Sequence, residues 1–157
     1  LINQRENEEM NNNPGLISRV GLEIIKEHEG FRQYPYKCSA NKTTIGYGHN
    51  LDDRGISKKI AEMIFKEDIN VAIDDVFEIF PDFHKFTENQ KIVLVDMMFN
   101  LGIIRFRKFR KMIRAIKKGD WKKAIIEMRN SRWYSQVTNR VEDLIDLLEE
   151  DLQETES

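Results

Sequence analysis

Cysteine is almost missing from this 157-residue chain: there is one, Cys38, so no intrachain disulfide forms and the redox compartment is left open. Proline is confined to three positions. Pro14 with Gly15 closes a polar stretch, Pro35 excludes a helix interior, and Pro81 stops a helical pattern. No apolar run approaches the roughly 20 residues of a membrane span, so no stable membrane insertion is expected. The N-terminus is polar and acidic, unlike the basic-then-apolar pattern of a secretory signal. The chain starts at Leu1 rather than Met, and a leader or anchor upstream of it stays open as an alternative. The three histidines, His28, His49 and His84, show no H-x-x-x-H spacing and no pairing with cysteine, so no metal site is expected. Gly46-Tyr47-Gly48 has no third glycine opening a helix, so the dinucleotide fingerprint is missing. No cofactor is expected.

What is present describes one soluble domain, by the prior of about 150 residues per domain. Hydrophobic residues make up 40% and charged residues 33%, enough for a core without staples. With 25 Lys+Arg against 27 Asp+Glu, the net charge of −2 points to no polyanion partner for the chain as a whole. The distribution is less even. Arg105–Lys123 carries ten basic residues and one acid, Asp120, whereas Val141–Ser157 carries eight acids and no Lys or Arg. The basic stretch reads as a solvated helix face or as a contact for an anionic envelope polymer. It lacks a helix-turn-helix context and its apolar stripe is accounted for by core packing, so nucleic acid is not an expected partner.

Along the chain, residues 1–15 read as an N-terminal extension. Leu16–Glu29 has apolar residues at the spacing of an amphipathic helix, with Ser18 or the Pro14-Gly15 pair at its start and Gly30 as its stop. Tyr34–Asn50 changes period and reads as a small antiparallel sheet with a turn at Ser39–Asn41. Everything after residue 56 reads as helical. Ser57 caps a long helix to Phe80, with Ile60, Ile64, Ile69, Ile73 and Val76 facing inward. Thr87 and Gln90 form a capping-box signature ahead of Ile92–Phe99, which is apolar nearly all round and therefore suits a buried central helix. Gly102 ends it. Phe106, Phe109, Ile113 and Ile116 line the next helix, Asp120 caps another, and Thr138 begins the last. The fold class expected is α+β, mostly helical, with the strands confined to the N-terminal third. Its layout is a single domain over 16–157 with two lobes. Residues 30–56 form the sheet lobe, 57–80 a linking helix, and 81–157 with 16–29 the helical lobe. A cleft between lobes is the usual place for an extended ligand.

Chemistry gathers in the run from Glu29 to His49. Glu29 closes a helix, where the macrodipole disfavours a negative charge by about 0.3–1 kcal/mol. Eight residues separate it from Cys38, and five more separate Cys38 from Thr44. This spacing puts an acid on a helix end and two small polar side chains on an adjoining sheet. Glycoside hydrolysis needs an acid for the leaving oxygen and a second group on the other face of the sugar. A thiol with a reference pKa of about 8.5 is an unusual second group. Cys38 reads as a weak base, a water holder or a small packing residue. No protease motif surrounds it. Glu29 alone reads first as a surface residue of K-E-H-E and second as an acid.

The pattern E-G, then Tyr-x-Cys, then T-I-G-Y-G-H resembles the active-site signature of phage lysozymes, the endolysins of the T-even type. A second block agrees: Met97-Met98-Phe99-Asn100-Leu101-Gly102, Phe109, Trp121, Ser131-Arg132-Trp133-Tyr134 and Asn139-Arg140. The resemblance spans about residues 16–148. It implies a lysozyme-like fold and hydrolysis of the β-1,4 link between N-acetylmuramic acid and N-acetylglucosamine. Glu29 would be the acid, and Cys38 would stand where many members carry Asp to activate water. Thr44 would hold that water from the opposite side. Arg140 would pair with Glu29, and His49 with Asp68. Tyr36, Asn50, Phe99 and Asn100 would line the cleft. The expected partners are peptidoglycan glycan strands, with the protein acting as a monomer. The expected route is a bacterial cytoplasmic pool released to the wall through a separate pore.

Overall fold

A computed structural model describes residues 16–157. The extension expected over 1–15 lies outside the described residues. Two compact units divide the chain, the first ending at Ile60 and the second running from Ala61 to Ser157.

The first unit is a helix followed by a small sheet. Helix α1 (Arg19–Glu29) starts where the sequence predicts, because the Ser18 side chain accepts the Gly21 N–H at 3.1 Å and satisfies one of the orphan donors of the first turn. Gly30 stops it: at φ 70° only glycine is unstrained, and its N–H closes onto the Lys26 carbonyl at 2.8 Å. Strands β1 (Arg32–Lys37), β2 (Thr43–Gly46) and β3 (His49–Asn50) form an antiparallel sheet in that order. Tyr36 faces Thr44 and Lys37 faces Thr43 across β1 and β2. The register shifts between Arg32 and Tyr36, an interval holding Pro35, which has no N–H to give to a ladder. The expected turn is present: the Asn41 N–H donates to the Cys38 carbonyl at 2.8 Å, and Asn41 sits at φ 57°, a region asparagine tolerates better than most residues. A one-turn helix, α2 (Leu51–Arg54), follows β3.

Helix α3 (Lys58–Ile79) begins under a Ser57 cap on the Ile60 N–H at 3.2 Å. The inward row expected from Ile60 to Val76 meets the core only at its C-terminal end. There Ala72, Val76 and Ile79 are buried, whereas Ile60 and Ile64 are exposed.

In the second unit, α3 is followed by α4 (Glu88–Phe106), α5 (Arg110–Lys117), α6 (Trp121–Arg129), α7 (Arg132–Gln136) and α8 (Thr138–Glu156). The Thr87–Gln90 capping box opens α4 with reciprocal bonds of 3.1 and 3.0 Å. Val93, Leu94, Met97 and Met98 make this the central buried helix. Gly102, expected as its stop, sits at φ 71°, ψ 160°, outside the helical region, and ends the regular helix there; one more turn beyond this kink carries Phe106 into the core. Asp120 caps α6 on the Lys123 N–H at 2.9 Å. Thr138 opens α8 without capping it: its hydroxyl bonds backward to the Tyr134 carbonyl at 2.7 Å. Val141, Leu144, Ile145 and Leu148 face inward from α8. Each fully buried Leu, Met or Phe in this core contributes roughly 1.5–3 kcal/mol by leaving water. The fold class is the expected one: mostly helical α+β with a small antiparallel sheet in the N-terminal third. Among the described residues, no helix is long and apolar enough to cross a membrane.

Candidate active site

Glu29 is the last residue of α1, and its carboxylate lies against Gly48. A Cβ on Gly48 would stand 2.5 Å from Glu29 Oε2 and 3.2 Å from Cδ. Gly48 also adopts φ 74°. The glycine is therefore required twice, once for a left-handed backbone and once for the approach of the acid. The turn joining β2 to β3 thus holds the carboxylate against the sheet. Lys26, one turn earlier, sets its ammonium 5.6 Å from the centre of the Tyr47 ring, and Phe31 meets the same ring at 5.5 Å. These contacts tie the end of α1 to that turn.

Cys38 and Thr44 meet across the first turn of the sheet. The Lys42 carbonyl accepts both the Cys38 N–H at 3.0 Å and the Thr44 hydroxyl at 3.1 Å. Thr44 is buried, the one buried polar side chain among the described residues. Its hydroxyl is thereby fixed beside a half-buried thiol. The backbone N–H of Lys42, then that of Ala40, stabilise the thiolate, and the Thr44 hydroxyl adds to them. Together they hold Cys38 below the usual thiol range, although partial burial opposes the shift.

The remaining first-unit residues hold the sheet's edge. Tyr36 lies under the Arg32 guanidinium, 5.1 Å from ring centre to Cζ. His49 donates from Nε2 to the Gly55 carbonyl at 2.5 Å, which assigns the proton to that nitrogen. Asn50 caps α2 by accepting the Asp53 N–H at 3.1 Å and donates to the Asp53 carboxylate at 2.8 Å. Asp52 accepts the Thr43 N–H at 2.8 Å. That bond first, and Lys37 after it, hold the Asp52 carboxyl below its usual range.

The second unit carries the other expected residues. Asp68 is exposed on α3. Phe99 lines an apolar groove of about 480 Å³ with Phe65, Ile69 and Ile73, and Arg140 and Asp96 close one side of it. Arg140 donates from Nε to Asp96 Oδ1 at 2.7 Å. Asn100 accepts the buried Trp133 Nε1–H at 2.8 Å, so its amide supports the core as well as facing solvent. The structure thus assembles Glu29, Cys38, Thr44, Tyr36, His49 and Asn50 around one sheet. It sets Phe99, Asn100 and Arg140 around α4. The Lys42 carbonyl, Asp96 and the group that approaches Gly48 escaped the sequence reading. Asp96 had left a signal: it is the lone charged residue in the apolar run Ile92–Phe99, and a charge there calls for a cation. Among the described residues, no cluster of three or more His, Cys, Asp or Glu is placed to hold a metal ion.

Comparison with known proteins matches residues 26–151 to the phage lysozyme family. A probable T4-type lysozyme 2 of Dictyostelium discoideum is 26% identical over 81% of this chain and 92% of its own length. An endolysin of Acyrthosiphon pisum secondary endosymbiont phage 1 is 33% identical over 57% of this chain and 62% of its own. The peptidoglycan hydrolase gp36 of Pseudomonas phage phiKMV is 30% identical over 77% of this chain and 14% of its own.

Proposed function

The chain belongs to the phage lysozyme family, and from that premise we propose that it is a muramidase. It cuts the β-1,4 bond between N-acetylmuramic acid and N-acetylglucosamine in bacterial peptidoglycan and so lyses the wall. The observation that carries this reading is the seat of Glu29 on Gly48. That seat ties the acid to the same sheet that presents Cys38 and Thr44.

In this mechanism Glu29 gives its proton to the glycosidic oxygen as the bond to the anomeric carbon breaks. A water held by Thr44 and the Cys38 thiol attacks that carbon from the opposite face. Its proton passes to the Cys38 sulfur where that is the thiolate, giving the thiol, and otherwise to solvent. The lowered thiol pKa leaves more of Cys38 as the thiolate, the form able to take a proton, at neutral pH than in a free cysteine. Direct attack by water predicts inversion at the anomeric carbon. In this proposal Arg140 partners Glu29 through the guanidinium N–H groups that Asp96 leaves free, and His49 partners Asp68 in place of the Gly55 carbonyl. Tyr36, Asn50, Phe99 and Asn100 line the path of the glycan.

Glu29→Gln is expected to cut peptidoglycan hydrolysis by about 10²–10⁴-fold with an unchanged melting temperature, and hydrolysis at the wild-type rate would refute the acid. In the same assay Cys38→Asp is expected to keep activity and Cys38→Ser to lose less than Glu29→Gln. An inactive, unfolded Cys38→Asp would make the cysteine a packing residue. The anomeric configuration of the first product, read by NMR, is expected to be inverted, and retention would require a covalent intermediate.

A further inference from the structure

The second unit holds an open cleft of about 790 Å³ that the proposed chemistry does not use. Arg105, Lys108, Arg110, Lys111 and Arg132 line it, with Glu127 the one acid among its walls. All five cations are exposed, and none has an acidic partner within ion-pair distance among the described residues. Four basic residues near them are paired. Arg107 pairs with Glu78, Lys122 with Glu156, and Arg129 with Glu142 and Glu149. Glu127 itself is taken by Lys123 at 2.9 Å. Arg114, Lys117 and Lys118 are also exposed and without an ion pair among the described residues, but they do not line the cleft, so what sets the five apart is their convergence on one concavity. Overall charge is −2, so this local excess is not a by-product of a basic chain.

We propose that this cleft binds a phosphodiester-linked anionic polymer of the cell wall, holding the protein on its substrate. One exposed ion pair is worth only about 0–1 kcal/mol. Five side by side become effective against several anions on one strand, where released counterions drive binding. That favours a polyanion over a single carboxylate. Base stacking needs accessible aromatic faces. The aromatic rings in the cleft are Phe109 and Trp133, which meet edge-on at 90° with Trp133 buried and Phe109 half-buried. A polyol-phosphate backbone needs no such face, which favours it over nucleic acid. The choice of a wall polymer rests on the muramidase reading, while the anion-binding cleft stands apart from it.

The test uses the full chain and a purified, soluble poly(glycerol phosphate), with binding followed by calorimetry at several salt concentrations. Wild type and Glu29→Gln are expected to bind equally, with a slope of log affinity against log salt of about −3.5, taking ~0.7 per phosphate contact. The triple variant Arg110→Gln/Lys111→Gln/Arg132→Gln is expected to bind at least tenfold more weakly, with the slope reduced by about 2. Should it fail to melt cooperatively, Lys111→Gln and Arg132→Gln singly are each expected to lose about 0.7 of slope. No binding at about 50 mM salt, or variants indistinguishable from wild type, would overturn the cleft. Equal affinity for single-stranded DNA or poly-glutamate of matched charge would overturn the wall polymer. Polymer binding by a chain that does not hydrolyse peptidoglycan would leave the cleft standing and remove the muramidase. Hydrolysis without polymer binding would do the reverse.

Discussion

The two units of this protein are held together by different forces. Every buried apolar side chain among the described residues, from Ala72 to Leu148, belongs to the second unit. Among the described residues of the first unit, the one that is buried is Thr44, a polar residue with its hydroxyl satisfied. Helices in the second unit stand because they bury one face. The sheet in the first stands on its ladder, on glycines at positive φ and on side chains bonded to backbone: Asp52 to the Thr43 N–H, His49 to the Gly55 carbonyl, Asn50 to the Asp53 N–H. A site of polar groups at fixed angles is built more readily from hydrogen bonds than from a greasy core, since hydrogen bonds are directional and apolar contacts are not.

This contrast can be broken most severely in the core. Phe106→Ala removes a fully buried ring and is expected to cost about 3–5 kcal/mol, lowering the melting temperature by roughly 10 °C or more. Tyr34→Ala, on the exposed side of β1, is expected to change stability by no more than about 0.5 kcal/mol. Equal losses in the two thermal scans would erase the distinction between the units.

Smaller in stability but sharper for the site is a pair of glycine variants. Gly46→Ala and Gly48→Ala both place an alanine at positive φ, 67° and 74°, and each is expected to cost about 1–2 kcal/mol. Only at Gly48 does the new Cβ meet the acid, since nothing lies within 4 Å of the one at Gly46. Gly48→Ala should therefore lose about 10²-fold in kcat, the order reached when a reacting group is misplaced by 1 Å. Gly46→Ala should stay near wild type. Matched activities in the two variants would show that the contact with Glu29 does not position it.

The finest comparison concerns the thiol. Cys38 is expected to react with iodoacetamide with a pH inflection below the ordinary thiol value of about 8.5, because Lys42 and Ala40 N–H groups stabilise its thiolate. The sign follows from the direction: a lowered pKa means more thiolate, and faster alkylation, on the acid side of the ordinary value. Thr44→Val removes the lesser donor and should raise the inflection slightly. A return all the way to the ordinary value would make the hydroxyl, not the backbone, the main cause.

Much of this architecture was legible in the sequence where one residue type has one structural use. Ser18, Gly30, Ser57, the Thr87–Gln90 pair and Asp120 act as the expected caps and stops. The turn at Ser39–Asn41 lies where it is expected. Gly102 breaks the helix as expected, and what the sequence did not show is the further turn beyond it, which burial of Phe106 sets. Thr138 begins the last helix as expected, with its hydroxyl bonded backward to the Tyr134 carbonyl. Among the site residues, Glu29, Cys38 and Thr44 stood out by type and spacing. The partner of Gly48 and the role of Asp96 did not, because they are contacts with residues 19 positions earlier and 44 positions later.

By itself the sequence determined the order and ends of the elements, the α+β class, the residue types available for chemistry and the family. Those depend on local preferences and on pattern, which are written in neighbouring residues. Only the tertiary structure decided that Glu29 rests on Gly48, that one Lys42 carbonyl joins Cys38 to Thr44, and which cations of the Arg105–Lys123 stretch find acids and which face an open cleft. Each of those is a through-space pairing, and its energy depends on the distance between groups that the chain leaves far apart.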